Sequence, residues 1–187
     1  MRDALQNEYL EMRVTAYELS ESVATERATV RCSLSINGEQ TIEVVGHGVG
    51  IIDALFAGLK ERYAPEYPSL ESIKFSSFLV RGLVDDAQGS HADAKAEICV
   101  GVTNSYGKEF EFLSVSNSVS RSSVEAVLAA VAYFINGERA YVRLFKAYQH
   151  YKATGRVDLI SKYTVKLAEM VKNTSYSSVI DRMKTEE

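Results

Sequence analysis

Ala28-Thr29-Val30-Arg31-Cys32-Ser33-Leu34-Ser35-Ile36-Asn37-Gly38 alternates apolar and polar residues without a break. A period of two puts Ala28, Val30, Cys32, Leu34 and Ile36 on one face of a strand, so the stretch predicts a sheet with one buried side. Asn37-Gly38 then supplies the residue pair that a tight hairpin turn prefers, because both positions tolerate positive φ. Thr41 to His47 reads as the return strand. Upstream, Met12, Val14 and Ala16 begin another strand, whose phase Tyr17 and Leu19 spoil. Downstream, Ile51, Ile52, Leu55, Phe56 and Leu59 switch to helical spacing. Tyr63, Pro65 and Pro68 end that helix, and Pro65 to Ser69 reads as a linker.

The same programme then repeats. Ile73 and Phe75, followed out of phase by Phe78 and Val80, predict a strand with a bulge. Gly82 to Ala92 has the composition of a mobile loop. Ala94, Ala96, Ile98, Val100 and Val102 restore strict alternation, Asn104-Ser105-Tyr106-Gly107 gives a second hairpin turn, and Phe110, Phe112 and Val115 mark its return strand. Val124, Val127, Leu128, Val131, Phe134 and Ile135 form the second helical stripe. The fold class expected is therefore α+β: duplicated βββα units (11–64 and 70–136) related by a pseudo-twofold axis, burying their apolar sheet faces together. A cleft near both helix N-termini follows from that arrangement. Residues 1–10 are read as an N-terminal segment and 137–187 as a helical C-terminal extension. In the extension, Tyr141, Leu144, Phe145, Tyr148 and Tyr151 give a stripe stopped at Gly155. Val157 to Val171 gives another, with Asp158 as N-cap, and Ser175 to Met183 a last short helix.

The 187 residues carry 21 Lys and Arg against 25 Asp and Glu, a net charge of −4, with 46% hydrophobic residues. That is ordinary globular composition; it excludes a disordered chain and a bulk nucleic-acid binder. No apolar run reaches the ~20 residues needed to span a bilayer, and the polar N-terminus is no secretory signal. Two cysteines, Cys32 and Cys99, are too few for a disulfide scaffold, so the expectation is a soluble protein of the cytoplasm. The extension is locally basic (Arg139, Arg143, Lys146, Lys152, Arg156, Lys162, Lys166, Lys172), which we read as solvated helix faces.

Chemistry could sit where Gly46-His47-Gly48-Val49-Gly50-Ile51-Ile52-Asp53-Ala54 joins a strand to a helix. Spaced glycines allow close backbone approach and positive φ, and a helix N-terminus favours a carboxylate or phosphate. The alternative is that the glycines only shape a tight strand-to-helix turn. The loop lacks Gly-Lys-Ser/Thr, and its alternating strand argues against a parallel dinucleotide-binding sheet. The second unit has Ser116-Asn117-Ser118-Val119-Ser120-Arg121-Ser122-Ser123. There Ser122 and Glu125 are spaced as a capping box, matching Gly50 and Asp53, so each helix is expected to open with an acidic third residue. His47, His91 and His150 are scattered, without metal-ligand spacing; neither cysteine has a CxxC partner; and the serines form no Gly-x-Ser-x-Gly elbow. No metal site, cofactor or catalytic residue is expected.

The order of elements and the first loop together resemble the LeuA-type allosteric (dimerisation) domain found in 2-isopropylmalate and citramalate synthases. The family loop G-x-G-x-G-P-x-D-A is matched by Gly46, Gly48, Gly50, Asp53 and Ala54, with Ile51 where proline is usual. An Asp-Ala pair opening the middle strand of the second unit matches Asp93-Ala94, and Ala126, Ala130 and Asn136 match a helical family feature loosely. The resemblance covers residues 11–136. It implies a branched-chain amino-acid effector, leucine or isoleucine, bound by Gly48, Val49, Gly50, Ile51, Ile52, Asp53, Ala54, Asp93, Ala94, Val119, Ser120, Ser122 and Ser123. Helix N-termini would hold the α-carboxylate, Asp53 or carbonyls the ammonium, and Ile51, Ile52 and Val119 the side chain.

The resemblance further implies a homodimer, a role in leucine or isoleucine biosynthesis, and no acyltransferase activity, since the metal-binding catalytic barrel has no counterpart in these residues. The expectation is a stand-alone module acting on a separate synthase subunit. The alternative is a structural dimerisation subunit with a degenerate pocket. The aromatic stripe Tyr141, Phe145, Tyr148, Tyr151 could zip two tails together or pack on its own sheet. An ACT-type sensor is disfavoured, because residues 20–27 are too few for the helix it places after its first strand.

Overall fold

A computed structural model describes residues 1–83 and 95–173. The chain opens with a short helix α1 (Arg2–Leu5) and a 3-10 turn (Gln6–Glu8), followed by β1 (Met12–Ser22), β2 (Arg27–Ile36), β3 (Gln40–Gly48) and α2 (Ile51–Tyr63). A short helix α3 (Ser69–Ser72) leads into β4 (Lys74–Leu83), β5 (Lys95–Thr103), β6 (Glu109–Ser116), α4 (Val119–Ala153) and α5 (Val157–Asn173). The strands form two antiparallel three-stranded sheets, β1-β2-β3 and β4-β5-β6. The architecture is thus α+β, two βββα units followed by C-terminal helices, as the periodicity predicts.

The two units correspond residue by residue. Ala28, Val30, Cys32 and Leu34 on β2 are buried, and so are Ala96, Ile98, Val100 and Val102 on β5. On the helices, buried Ala54, Leu55, Gly58 and Leu59 of α2 find their counterparts in Ser122, Ser123, Ala126 and Val127 of α4. The first strand of each sheet carries an irregularity at the matching place, between Val14 and Ala16 on β1 and between Phe75 and Ser77 on β4. These bulges are what spoil the phase of both strands in the sequence. The hairpins are built as expected: Asn37 and Gly38 have φ of 54° and 77°, and Gly107 has φ of 74°.

Packing between units is reciprocal. Helix α4 lies on β5 and β6 and reaches β1 of the other unit, while α2 lies on β2 and β3 and also packs on α4. Phe56 of α2 meets Phe75 of β4 edge-on, with ring centroids 4.7 Å apart. One core results, running through both sheets and both helices.

Some expectations are corrected. Residues 65–69 are not a free linker: the segment runs into α3, whose Ser69 and Leu70 are fully buried, and Glu138 of α4 accepts the Ser69 N–H at 3.0 Å. The two helical stripes on either side of Gly137 belong to the single helix α4. Buried Asn136 on that helix clamps the N-terminal segment, accepting from Leu10 N and donating to Leu10 O, both at 2.8 Å, while Arg143 pairs with Glu8 at 3.0 Å. The tertiary contacts of this stretch outweigh the helix-interior penalty of one glycine, ~1 kcal/mol.

The aromatic stripe is covered by α5 rather than by its own sheet. Tyr141, Val142 and Phe145 pack against Leu167, Met170 and Val171 of α5, and the rings of Tyr151 and Tyr163 lie 5.3 Å apart. Helix α5 begins at Val157, so Asp158 is not its N-cap but lies in its first turn, paired with Arg156 at 3.2 Å. Of the basic residues in the extension, Arg143, Lys146, Lys152, Arg156, Lys162 and Lys166 are exposed and Arg139 is half-buried. The expected loop beyond Leu83, the Asp93-Ala94 pair and the Ser175–Met183 helix lie outside the described residues. Among the described residues, no helix is long and apolar enough to cross a membrane.

Candidate functional site

The glycines of the first loop work differently from the sequence expectation. Positive φ among the described glycines occurs at Gly38, Gly107 and Gly155, not in this loop. A Cβ on Gly46 would overlap the Ala54 carbonyl oxygen and sit 2.8 Å from the Gly58 amide nitrogen, and one on Gly48 would collide with the Asp53 carboxylate. Gly58 answers from the helix side, its absent Cβ pointing at the Val45 carbonyl oxygen 2.6 Å away. The three glycines therefore bring α2 into near backbone contact with β3. Gly50, in contrast, is the N-cap residue in extended conformation with open space around it.

Close approach fixes the entrance of α2. Ile51 is the first helical residue, so the place the family gives to proline is the N1 position, where no intrahelical N–H bond is needed. Asp53 sits at N3 and accepts the Val49 N–H at 3.0 Å. No side chain caps the helix, so its first-turn N–H groups face outward without intrahelical acceptors. They open on a cavity of about 470 Å³ formed by Val49 to Asp53 together with Glu21, Phe75 and Phe78. Glu21 reaches it from the inner-face row Glu21, Ala28 and Gly48, and Phe78, 49% exposed, comes from the edge strand of the other unit. The lining offers an apolar wall, two carboxylates and a helix N-terminus. Buried Ala54 stands behind it as part of the core.

The entrance of α4 is closed by its own side chains. Its N-cap is Ser118, whose hydroxyl accepts the Arg121 N–H at 3.3 Å. Residues Val119, Ser120 and Arg121 make the first turn, with no acid in it. The expected capping box of Ser122 and Glu125 is therefore not formed. Ser122 is buried one turn in, donating to Ala96 O at 3.2 Å and sharing a hydrogen bond of 2.8 Å with Ser116. Glu125 accepts from Ser114 at 2.7 Å and from Arg121 Nε at 2.8 Å, and this carboxylate holds the Arg121 guanidinium above its ordinary value. Serines 114 and 116 replace Gly46 and Gly48, and their hydroxyls fill the strand-helix gap that the first unit closes by contact.

Of the sequence-predicted residues, the structure thus brings Val49, Gly50, Ile51, Ile52 and Asp53 onto one cavity, with Gly48 and Ala54 behind it. Val119, Ser120, Ser122 and Ser123 belong to the other entrance and line no part of that cavity; Ser123 donates to Val119 O at 2.8 Å. Glu21, Phe75 and Phe78 were not singled out for the site. Their signal was the inner-face phase of the two edge strands, but which helix each strand meets is not a local property. Among the described residues, no three His, Cys, Asp or Glu side chains gather as for a metal ion. Cys32 is fully buried, and burial pushes its thiol up to about 11.

The sequence profile of the LeuA allosteric (dimerisation) domain matches residues 1–135. The chain belongs to this family. The match takes in the N-terminal segment that periodicity left aside, in keeping with the Leu10–Asn136 clamp, and ends within α4. A comparison with curated proteins finds no match. The LeuA allosteric domain is regulatory and dimerising rather than catalytic, and that coarse role is the one family membership carries to this chain.

Proposed function

We propose that this LeuA-type domain binds a small branched-chain amino acid, leucine or isoleucine, in the cavity at the entrance of α2, and through dimerisation regulates a 2-isopropylmalate synthase-like enzyme of branched-chain amino-acid biosynthesis. The observation that carries the reading is the uncapped α2 N-terminus opening on a cavity whose other walls are Ile51, Ile52, Phe75 and Phe78. The first-turn N–H groups and the positive helix end suit the α-carboxylate. Glu21 and Asp53 supply negative charge for the ammonium, and the apolar wall suits a branched side chain. Ile51 adds a donor that proline at N1 would lack. In this reading the chain performs no condensation of its own; it senses the end product.

Isothermal titration with leucine, isoleucine and valine tests it. Heat and a thermal shift with at least one of them support sensing, and neither at millimolar ligand removes it. The closed entrance of α4 favours a second reading, a structural dimerisation subunit whose pocket is degenerate. That reading predicts a dimer indifferent to all three amino acids.

A further inference from the structure

We infer that the outer face of the β4-β5-β6 sheet is the surface on which a second copy of this chain docks; the inference rests on the dimerising role and names its surface. The duplication supplies an internal reference. The inner rows of the middle strands β2 and β5 are apolar and buried at matching positions, but the outer faces of the two sheets have diverged. On the first sheet the central outer row is Glu18, Arg31 and Val45. Arg31 there lies 4.0 Å from Glu18 and 3.9 Å from Glu43, and Thr29 bonds His47 at 3.0 Å. The equivalent row on the second sheet is Leu79, Cys99 and Leu113. Leu79 is 53% exposed, Leu113 59% and neighbouring Val115 47%.

Both sheets bury an apolar inner face, and the first does so beneath a charged outer row, so the fold does not require apolar side chains on an outer face. Single exposed leucines are ordinary, but a contiguous row across three strands marks a contact surface. The charges around the row identify the occupant. Lys74, Arg81 and Lys95 stand on this face with Glu97, Glu109 and Glu111, three of each sign in a chain of net charge −4. Arg81 and Glu97 pair across the strands within the chain at 3.2 Å, and a face whose charges balance stacks on its own copy without net repulsion, as a self-complementary twofold contact allows. Cys99 lies in the row's centre on the middle strand, so a twofold axis lying in the interface and passing through the centre of this row sets it opposite its own copy, whichever way the strands cross. Packed sheets lie ~10 Å apart, within the span of a short bismaleimide. The face is only three strands wide, so the association is concentration-dependent.

The test is sedimentation velocity over a wide concentration range, with bismaleimide cross-linking of the whole chain. The wild type is expected to dimerise and to cross-link through Cys99, the product disappearing in Cys99→Ser; buried Cys32 does not react. Leu79→Glu and Leu113→Glu are expected to raise the dimer Kd by about tenfold or more, whereas Arg31→Ala on the first sheet leaves it unchanged. Cross-linking needs no destabilising substitution and stays informative if a glutamate variant misfolds. A dimer that withstands both glutamates, or one without a Cys99 cross-link, overturns this surface and leaves dimerisation standing. A wild type that stays monomeric at every concentration overturns both.

Discussion

A Cβ placed on Gly46 would strike the Ala54 carbonyl and crowd the Gly58 amide, whereas one on Gly50 meets open space. Gly46→Ala is therefore expected to lower stability by about 1–3 kcal/mol or more, since α2 must lift off β3. Gly50→Ala is expected to change stability by ~1 kcal/mol or less, because the freedom lost by the unfolded chain offsets the poorer N-cap that alanine makes. Urea unfolding separates the two, and an equal loss in both would mean that close packing is not what the motif encodes. The sequence makes the glycine spacing plain but not its reason, since each residue's neighbour lies on another element. Cys32 was legible in full, its alternation placing it inside. Its thiol is held up at about 11 against an ordinary 9.0 by burial. The folded state thus keeps a proton that the unfolded chain releases first. The stability this contributes is complete below about pH 9 and is lost as pH rises through about 11. Cys32→Val, which copies Val100 of the second unit, is expected to flatten that part of the alkaline decline in the unfolding midpoint. A midpoint falling as steeply in the variant would contradict it.

Strands and hairpins could be read along the chain because alternation and turn chemistry are local, and the bulges showed as lost phase. Helix ends were less legible. Ser122-x-x-Glu125 has capping-box spacing, yet Ser118 takes the cap because the chain leaves β6 at Ser116 and turns at once. Ser118→Ala is expected to destabilise the protein by about 1 kcal/mol, read as a shift in the urea midpoint; no shift would mean that water replaces the hydroxyl. The continuity of α4 through Gly137 was hidden for the opposite reason. Its support is Leu10 on Asn136, Ser69 on Glu138 and the cover of α5, all of them distant in sequence. A chain ending at Gly155 would uncover Tyr141, Val142 and Phe145. We expect a lower melting temperature and increased binding of an apolar dye, and an unchanged melt without dye binding would show that α5 contributes nothing to the fold.

At the scale of the molecule, the duplication gives two helix entrances and uses them differently. One is plugged by Ser116, Ser118 and Ser122; the other opens between two carboxylates and two phenylalanines. An effector at the open entrance touches both units, since Phe75 and Phe78 belong to β4 while Ile51 and Asp53 belong to α2. The same strand β4 carries Leu79 on its opposite face. Side chains alternate along a strand, so Phe78 on the cavity and Leu79 on the docking face are joined by one peptide bond. A ligand that fixes the strand at Phe78 thereby fixes the contact at Leu79, which makes coupling between effector and dimer an expectation of the geometry. Coupling free energies are reciprocal. With one effector site per chain, the factor by which saturating leucine or isoleucine changes the dimer Kd must therefore equal the square of the factor by which dimerisation changes the affinity of each site. Sedimentation with and without effector gives the first. Titration of wild type above its dimer Kd, against Leu113→Glu held as monomer, gives the second. Phe78→Ala is expected to abolish the effector's influence on the dimer while leaving dimerisation without effector unchanged, because Phe78 faces away from the docking surface. Equal dimer Kd values with and without bound effector would show that the two faces of β4 act independently.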